Sequence, residues 1–115
     1  MLATIPRKTA DTEIALSVVT VIELAHGAAC ADKVERRQNR LQFIQELLTA
    51  LPIHLVTVPV APRVGQIDGE SQAKGVRLPL ADLLIGITAL ELGYSVATDN
   101  LRHFQKIPGL TVMRL

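Results

Sequence analysis

The fold of this chain is decided by one stretch, Leu78-Pro-Leu-Ala-Asp-Leu-Leu-Ile-Gly-Ile-Thr-Ala-Leu-Glu-Leu-Gly93. As a helix it would have hardly any polar face, which predicts that the helix is buried in the protein core. Gly93 suits the left-handed residue that ends a helix, and residues 94–98 follow as a predicted strand. Asp82 is the polar residue at the start of this helix, so the sequence predicts a carboxylate at the N-terminus of a buried helix.

The length and composition indicate one ordinary globular domain. With 115 residues, of which 49% are hydrophobic and 20% charged, the chain can bury roughly two-thirds of the surface that its unfolded form exposes. A net charge of +1 is too small to indicate nucleic-acid binding by field strength alone. No apolar run reaches the roughly 18 residues of a membrane span. The lone Cys30 fits a reducing compartment. From the apolar runs and this cysteine together we expect no membrane attachment and a cytoplasmic location.

Strands and helices alternate along the chain from residue 15 onward. The predicted strands are 15–20, 52–58, 94–98 and 110–114. The predicted helices are 20–28, 32–51, 59–74 and 82–92. Such alternation predicts a parallel sheet that is covered by helices on both faces, and therefore the α/β class.

Three acidic residues are expected to meet at one edge of this sheet. Glu23 and Asp99 each follow a predicted strand, and ligands bind beyond the carboxyl ends of parallel strands. Asp82 joins them if its helix starts at that edge, as a right-handed crossover requires. Two carboxylates ~4 Å apart repel by roughly 4 kcal/mol at an effective dielectric of about 20. A hard dication such as Mg²⁺ offsets this repulsion and can support hydrolysis of a phosphodiester.

Each of these residues also has a simpler structural interpretation. Asp82 alone is more often an acid stabilised by the dipole at a helix N-terminus. Glu23 is equally well explained as the capping-box partner of Thr20, and Asp99-Asn100 is a common turn pair. A basic turn of the second helix is more typical of a solvated face than of an RNA-binding track, and it consists of Arg36, Arg37 and Arg40.

Taken together, the motifs resemble those of the PIN-domain ribonucleases, and most closely those of VapC-type toxins of type II toxin–antitoxin pairs. Residues 17–27 resemble the family's strand-to-helix motif, which carries its second acid. Residues 78–89 resemble its third-acid helix, residues 96–104 its Thr-x-Asn-x-x-Asp-Phe loop, and residues 107–110 its closing segment. The resemblance covers about residues 15–115, with the four motifs in the family's order.

The resemblance implies a fold, an activity and partners. The fold is a three-layer α/β/α sandwich with a mainly parallel sheet. The activity is that of an endoribonuclease that depends on Mg²⁺ or Mn²⁺ and hydrolyses RNA phosphodiester bonds with a metal-activated water. The partners are an RNA substrate, a small VapB-like antitoxin that blocks the site, and a second copy of the chain in a homodimer.

The resemblance also implies the site residues. It assigns catalytic and metal-binding roles to three acids: Glu23, Asp82 and Asp99. Thr98 is the supporting hydroxyl at the strand end, and either Asp99 or Asn100 fills the fourth acidic position. His103 stands where the family often has an aspartate.

The chain departs from the family's pattern at its start. The family's first strand ends in Asp-Thr or Asp-Ser, and a helix precedes the second strand, but here the second-strand motif already begins near residue 15. Asp11-Thr12 has the same residue types as this Asp-Thr dipeptide. It lies too close to Ala15, however, because a parallel crossover needs about a dozen residues, so we reject Asp11 as the first acid.

We therefore expect a shortened family member that lacks the first strand, its helix and the first acid. Residues 1–14 are interpreted as a polar lead-in, and residues 15–115 as a partial PIN-like domain. The main hypothesis is an active ribonuclease. The alternative is an inactive remnant that dimerises or binds an antitoxin through its first two helices.

Overall fold

The computed structural model describes the backbone of residues 3–6 and all of residues 14–115. The strands within these ranges are β1 (Ala3–Pro6), β2 (Leu16–Ser17), β3 (Ile53–His54), β4 (Tyr94–Thr98) and β5 (Val112–Arg114). The helices are α1 (Val18–Ala29), α2 (Val34–Ala50), α3 (Val60–Ala73), α4 (Leu80–Leu92) and α5 (Leu101–Phe104). Among these described helices, none has both the length and the apolar character needed to cross a membrane.

The strands form one sheet of three strands and one of two. β4 is the middle strand of the first sheet, where it pairs antiparallel with β1 and parallel with β5. β2 and β3 pair parallel in the second sheet, with Leu16 opposite Ile53. Two of the three pairings in the described ranges are parallel, and helices connect the strands, which confirms the predicted α/β class.

β1 lies inside the segment that the sequence pattern presents as a polar lead-in. Its register places Ala3 opposite Ala97 and Pro6 opposite Tyr94, and it also contacts β2. The antiparallel direction agrees with the short length of chain before Ala15, since a parallel crossover needs about a dozen residues. The sheet thus gains a strand that the sequence analysis did not include. The rejected pair Asp11-Thr12 lies outside the described residues.

The first helix begins at Val18, two residues earlier than predicted. Ser17 is the N-cap of α1, and its Oγ accepts a hydrogen bond from the Val19 backbone N–H at 3.1 Å. The predicted strand at 15–20 is therefore limited to β2, because this cap and burial of Val19 outweigh the β propensity of the residues that follow. Thr20 lies inside the helix and is 2% exposed. The predicted capping box of Thr20 and Glu23 is therefore wrong.

Other boundaries also differ from the prediction, since α2 begins at Val34, α4 at Leu80 and β5 at Val112. The strand predicted at 52–58 is only two residues long, and the loop after β4 contains the short helix α5. α3 continues unbroken through Pro62, because a proline in the first turn of a helix removes an N–H that has no partner within the helix. An ion pair between Arg63 and Glu91 joins the first turns of α3 to the end of α4. These two helices are therefore neighbours in the fold.

α4 is the buried helix that the sequence predicts. Its buried residues run almost without interruption along its length and are Asp82, Leu83, Ile85, Gly86, Ile87, Thr88 and Ala89. Gly93 ends the helix with a φ of 79°, in the left-handed region. The apolar side chains of α4 pack with Val96 of β4 and with Phe104 and Ile107. This core fixes the position of Asp82 relative to the end of β4.

Candidate active site

Asp82 lies in the first turn of α4 and is 9% exposed. Burial of a carboxylate costs free energy unless hydrogen bonds or opposite charges compensate for it. Its Oδ2 lies 2.7 Å from Nδ1 of His103, and the N-terminal end of α4 favours a negative charge. The buried helix and a histidine from α5 therefore hold this carboxylate in place.

The loop after β4 brings a second polar residue to this contact. Thr98 is fully buried, and its Oγ1 accepts a hydrogen bond from the Asn100 backbone N–H at 2.9 Å. Nδ2 of Asn100 lies 2.9 Å from Nδ1 of His103. Phe104 is buried in the core and anchors the end of α5. The predicted supporting residues Thr98 and Asn100 thus shape the loop that places His103 over Asp82.

Glu23 lies on α1, which contacts α4. Burial and then the negative charge of Asp82 raise the pKa of Glu23 above its usual value. The side chain nevertheless remains exposed in the single chain, so water reduces the strength of this repulsion. Two of the three predicted acids therefore share one electrostatic environment.

Asp99 is exposed at the end of β4. Among residues 3–6 and 14–115, no three His, Cys, Asp or Glu side chains lie close enough together to hold one metal ion. Glu23, Asp82 and Asp99 therefore do not form a compact cluster in the described part of the chain, and their assignment as metal ligands stays a prediction. Of the two candidates for the fourth position, Asn100 is the one that contacts the Asp82–His103 pair.

His103 is the site residue that sequence reasoning missed. By its sequence position His103 only replaces an aspartate of the family's motif, whereas the structure places it in direct contact with Asp82. A usable signal existed in the sequence, since residues three apart lie on one side of a helical turn. Asn100 and His103 have that spacing directly after β4. The pattern predicts that both side chains lie at the same edge of the sheet.

A cavity of about 210 Å³ adjoins Glu23. Its walls come from α1 and α2 and consist of Glu23, Leu24, Gly27, Arg40, Phe43 and Ile44. Arg40 donates a hydrogen bond from Nη1 to the backbone oxygen of Gly27 at 2.9 Å. This arginine of the predicted basic turn therefore joins the two helices beside the acidic residues.

Comparison with known proteins identifies relatives over almost the whole chain. The family model described as the PIN domain matches residues 3–110. The tRNA(fMet)-specific endonuclease VapC of Salmonella typhimurium is 29% identical over 101 residues, which are 88% of this chain and 74% of the relative. Ribonuclease VapC2 of Rickettsia felis is 29% identical over 100 residues, which are 87% of this chain and 72% of the relative.

Solved structures of related proteins have the same fold. The DNA-bound VapBC structure from Salmonella typhimurium has a TM-score of 0.75 and 28% identity, covering 85% of this chain and 72% of its own. The VapBC2 structure from Rickettsia felis, bound to a DNA fragment from its promoter, has a TM-score of 0.74 and 27% identity, covering 88% of this chain and 74% of its own. The mainly parallel α/β architecture described above is thus also the architecture of these relatives.

Proposed function

This chain belongs to the PIN domain family, and we propose that it is an endoribonuclease toxin that hydrolyses RNA phosphodiester bonds with the help of a divalent cation. The observation that carries the proposal is the position of the buried Asp82 at the start of α4, next to α1 with Glu23, where burial and then the negative charge of Asp82 raise the pKa of Glu23. Carboxylates that repel one another at a sheet edge fit a cation, because Mg²⁺ is usually held by one or two carboxylates together with waters.

Each residue of the site has a role in this proposal. Asp82 and Glu23 would hold Mg²⁺ or Mn²⁺, and the bound cation would supply a water of lowered pKa for attack on the phosphodiester. Asp99 contributes a third carboxylate from the exposed rim, where RNA can approach. Thr98 fixes the loop through its hydrogen bond to the backbone of Asn100. The protein therefore orients the substrate and the acids on rigid elements, the ends of α4 and β4.

The test is cleavage of RNA by the purified chain with Mg²⁺ or Mn²⁺. We expect Glu23→Gln and Asp82→Asn each to lower the cleavage rate at least about 100-fold, while their circular dichroism spectra stay native. Glu46→Gln is the matched control, since Glu46 is an exposed carboxylate on α2. Cleavage by both site variants at the native rate would show that these acids do not form the site.

We also propose a small VapB-like antitoxin as the partner of this chain in the cytoplasm. The solved relatives include the VapBC structures, and Phe43 of α2, which is 41% exposed, lines the cavity beside Glu23. The same two helices also expose Ile22, Leu41 and Leu48. An apolar segment of a partner that covered Phe43 would also restrict access to Glu23. The homodimer implied by the resemblance remains a prediction that sedimentation of the purified chain can test.

A second candidate function is antitoxin binding without RNA cleavage. It is favoured by the lack of a compact three-acid cluster in the described residues. Under this hypothesis the chain binds the antitoxin in a calorimeter, Phe43→Asp weakens that binding at least about tenfold, and cleavage stays at background with either metal. Measurable cleavage that is lost in Asp82→Asn would exclude this candidate in favour of the enzyme.

A further inference from the structure

A cavity of about 250 Å³ lies between the end of α3 and the segment that follows α5. Its polar lining consists of Glu70, Ser71, Lys74 and Lys106, and Val76 forms part of its apolar wall. Two of the three lysines in residues 14–115 thus line one cavity, although they come from segments far apart in the chain. The proposed active site uses neither of these two positive charges.

The two ammonium groups have no carboxylate to neutralise them. Within residues 3–6 and 14–115, neither Lys74 nor Lys106 forms an ion pair. The carboxylate in the cavity wall is Glu70, and its Oε1 accepts a hydrogen bond from Nε2 of Gln66 on the same helix at 3.0 Å. Two ammonium groups and one carboxylate leave a net positive charge at the cavity, which attracts an anion.

The backbone is fixed on both sides of the cavity. The backbone N–H of Val76 donates a hydrogen bond to the backbone oxygen of Ser71 at 2.8 Å, and Gly75 between them has a φ of 77°. On the opposite side, Ile107 follows Lys106 directly and is 2% exposed in the core. Both lysine side chains are exposed. The lysines therefore combine an anchored backbone with side chains that a ligand from solvent can reach.

The cavity adjoins the two segments that carry the proposed active site. The backbone N–H of Lys106 donates a hydrogen bond to the backbone oxygen of His103 at 3.2 Å, and His103 in turn contacts Asp82. On the other side of the cavity, Val76 belongs to the short segment that leads into α4, and Asp82 lies in the first turn of that helix. A strand of RNA that reaches Asp82 therefore passes near the cavity.

We propose that this cavity binds a phosphate group of the RNA substrate, on one side of the bond that is cleaved, through the ammonium groups of Lys74 and Lys106. The inference rests on the proposed function in one respect, since RNA is taken as the substrate. A lysine ammonium has three N–H donors and commonly binds phosphate oxygens. Phosphate contacts position a nucleic acid without reading its bases. The two lysines would therefore hold the strand beside Asp82 whatever its sequence.

The binding test is fluorescence anisotropy of a labelled oligouridylate with the full chain in EDTA, which prevents metal-dependent cleavage. Lys74→Gln and Lys106→Gln should each raise the dissociation constant about threefold or more at low salt. Each should also reduce the dependence of the logarithm of this constant on the logarithm of the salt concentration by about 0.7, the slope expected for one phosphate contact on a single strand.

Two further variants control for charge. Lys33→Gln removes the same charge from an exposed lysine outside the cavity, so affinity and salt dependence should stay native. Glu70→Gln removes the negative charge from the cavity wall and should tighten RNA binding about twofold or more. Glu46→Gln removes an exposed carboxylate from α2 and should have no such effect.

Cleavage kinetics provide an independent measurement. The lysines contact a phosphate that does not react, so they bind the ground state and the transition state equally. Lys74→Gln and Lys106→Gln should therefore raise KM about threefold or more while kcat stays native. A general disturbance of the fold would lower kcat and alter the circular dichroism spectrum as well.

Three results would overturn the inference. They are the absence of RNA binding by the folded native chain, native affinity and salt dependence in both lysine variants, and equal weakening by Lys33→Gln. If RNA affinity were native but binding of inorganic phosphate were lost in the lysine variants, the ligand would be a free anion and not RNA. RNA binding that depends on both lysines without any cleavage contradicts the proposed function alone. Cleavage with a native KM in both lysine variants contradicts this inference alone.

Discussion

Gly86 allows α4 to pack against the segment that follows α5. A Cβ at this position would clash with Cδ1 of Ile107 and would lie 3.2 Å from Leu110 Cδ2 and 3.4 Å from Phe104 Cδ1. Ile107 is 2% exposed and Phe104 is fully buried. Because the Cβ would clash with Ile107, the methyl group of Gly86→Ala must displace core side chains next to the helix that carries His103.

Two opposing terms set the effect of Gly86→Ala on the free energy of unfolding. Replacing glycine by alanine inside a helix stabilises it by about 1 kcal/mol. Forcing an additional methyl group into a filled core costs about 1–3 kcal/mol. The clashing atom is the far end of the Ile107 side chain, which is buried, so we take a cost in the middle of that range, about 2 kcal/mol. The expected net result is a destabilisation of about 1 kcal/mol.

Urea unfolding followed by circular dichroism measures this quantity. Gly69→Ala is the matched control, because Gly69 lies inside α3 and a Cβ there would have no atom within 4 Å. Gly69→Ala should gain only the stabilisation that alanine gives relative to glycine inside a helix. The free energies of unfolding of the two variants should therefore differ by about 2 kcal/mol. Ile107→Val removes the clashing Cδ1 atom. It should cost about 0.5–1.5 kcal/mol in the native chain and clearly less in the Gly86→Ala background.

The reasoning would be refuted if Gly86→Ala stabilised the chain as much as Gly69→Ala does. Equal stabilisation would mean that α4 and the segment after α5 are not in close contact at Gly86. Strictly additive effects of Gly86→Ala and Ile107→Val would contradict it as well, since residues in direct contact show coupling energies of about 0.5 kcal/mol or more.

Three further predictions concern the ends of the elements that hold the site. Ser17→Ala removes the hydrogen bond from the Val19 N–H to the cap of α1 and should cost about 1 kcal/mol in urea unfolding; an unchanged midpoint would contradict the cap. Burial and then the charge of Asp82 raise the pKa of Glu23 in the folded chain above its value of 4.5 in the unfolded chain. The folded chain therefore binds this proton more tightly. The resulting stabilisation is complete below pH 4.5 and is lost as the pH rises through the pKa of the folded state. Without divalent cations, Glu23→Gln should therefore raise the melting temperature at neutral pH and have little effect below pH 4.5; a lower melting temperature at neutral pH would contradict the repulsion. A chain that begins at residue 7 lacks β1 and leaves one edge of β4 unpaired, so it should melt at a lower temperature than the full chain.

The parts of the fold that follow from local sequence were predictable. The apolar stretch before Gly93 specifies a buried helix, and its glycine ends that helix in the left-handed conformation that the sequence predicts. The order of Glu23, Asp82 and Asp99 relative to the strands predicts that all three lie near one edge, because chain direction alone decides where a parallel strand ends. Of these, Glu23 and Asp82 lie close enough for the charge of Asp82 to raise the pKa of Glu23. These predictions needed no knowledge of distant contacts.

The parts that depend on contacts between distant segments were not predictable. β1 exists through its pairing with β4, about ninety residues later in the chain, and its own sequence carries no alternation that marks a strand. The contact of His103 with Asp82 also joins residues from different elements. A histidine after a strand does not by itself indicate a functional site. Only the position of α5 on the core brings His103 to the Asp82 carboxylate.

The simplest interpretation of Asp82 is an acid that stabilises the start of a helix. Such an acid acts at the surface, where it contributes about 0.3–1 kcal/mol and needs no further partner. Asp82 is instead 9% exposed and lies close enough to Glu23 to raise the pKa of that residue. The contact with His103 at 2.7 Å offsets part of the cost of burying Asp82, but the negative charge of Asp82 still opposes ionisation of Glu23. An arrangement that costs stability in the free chain fits a site whose carboxylates are neutralised when a cation binds.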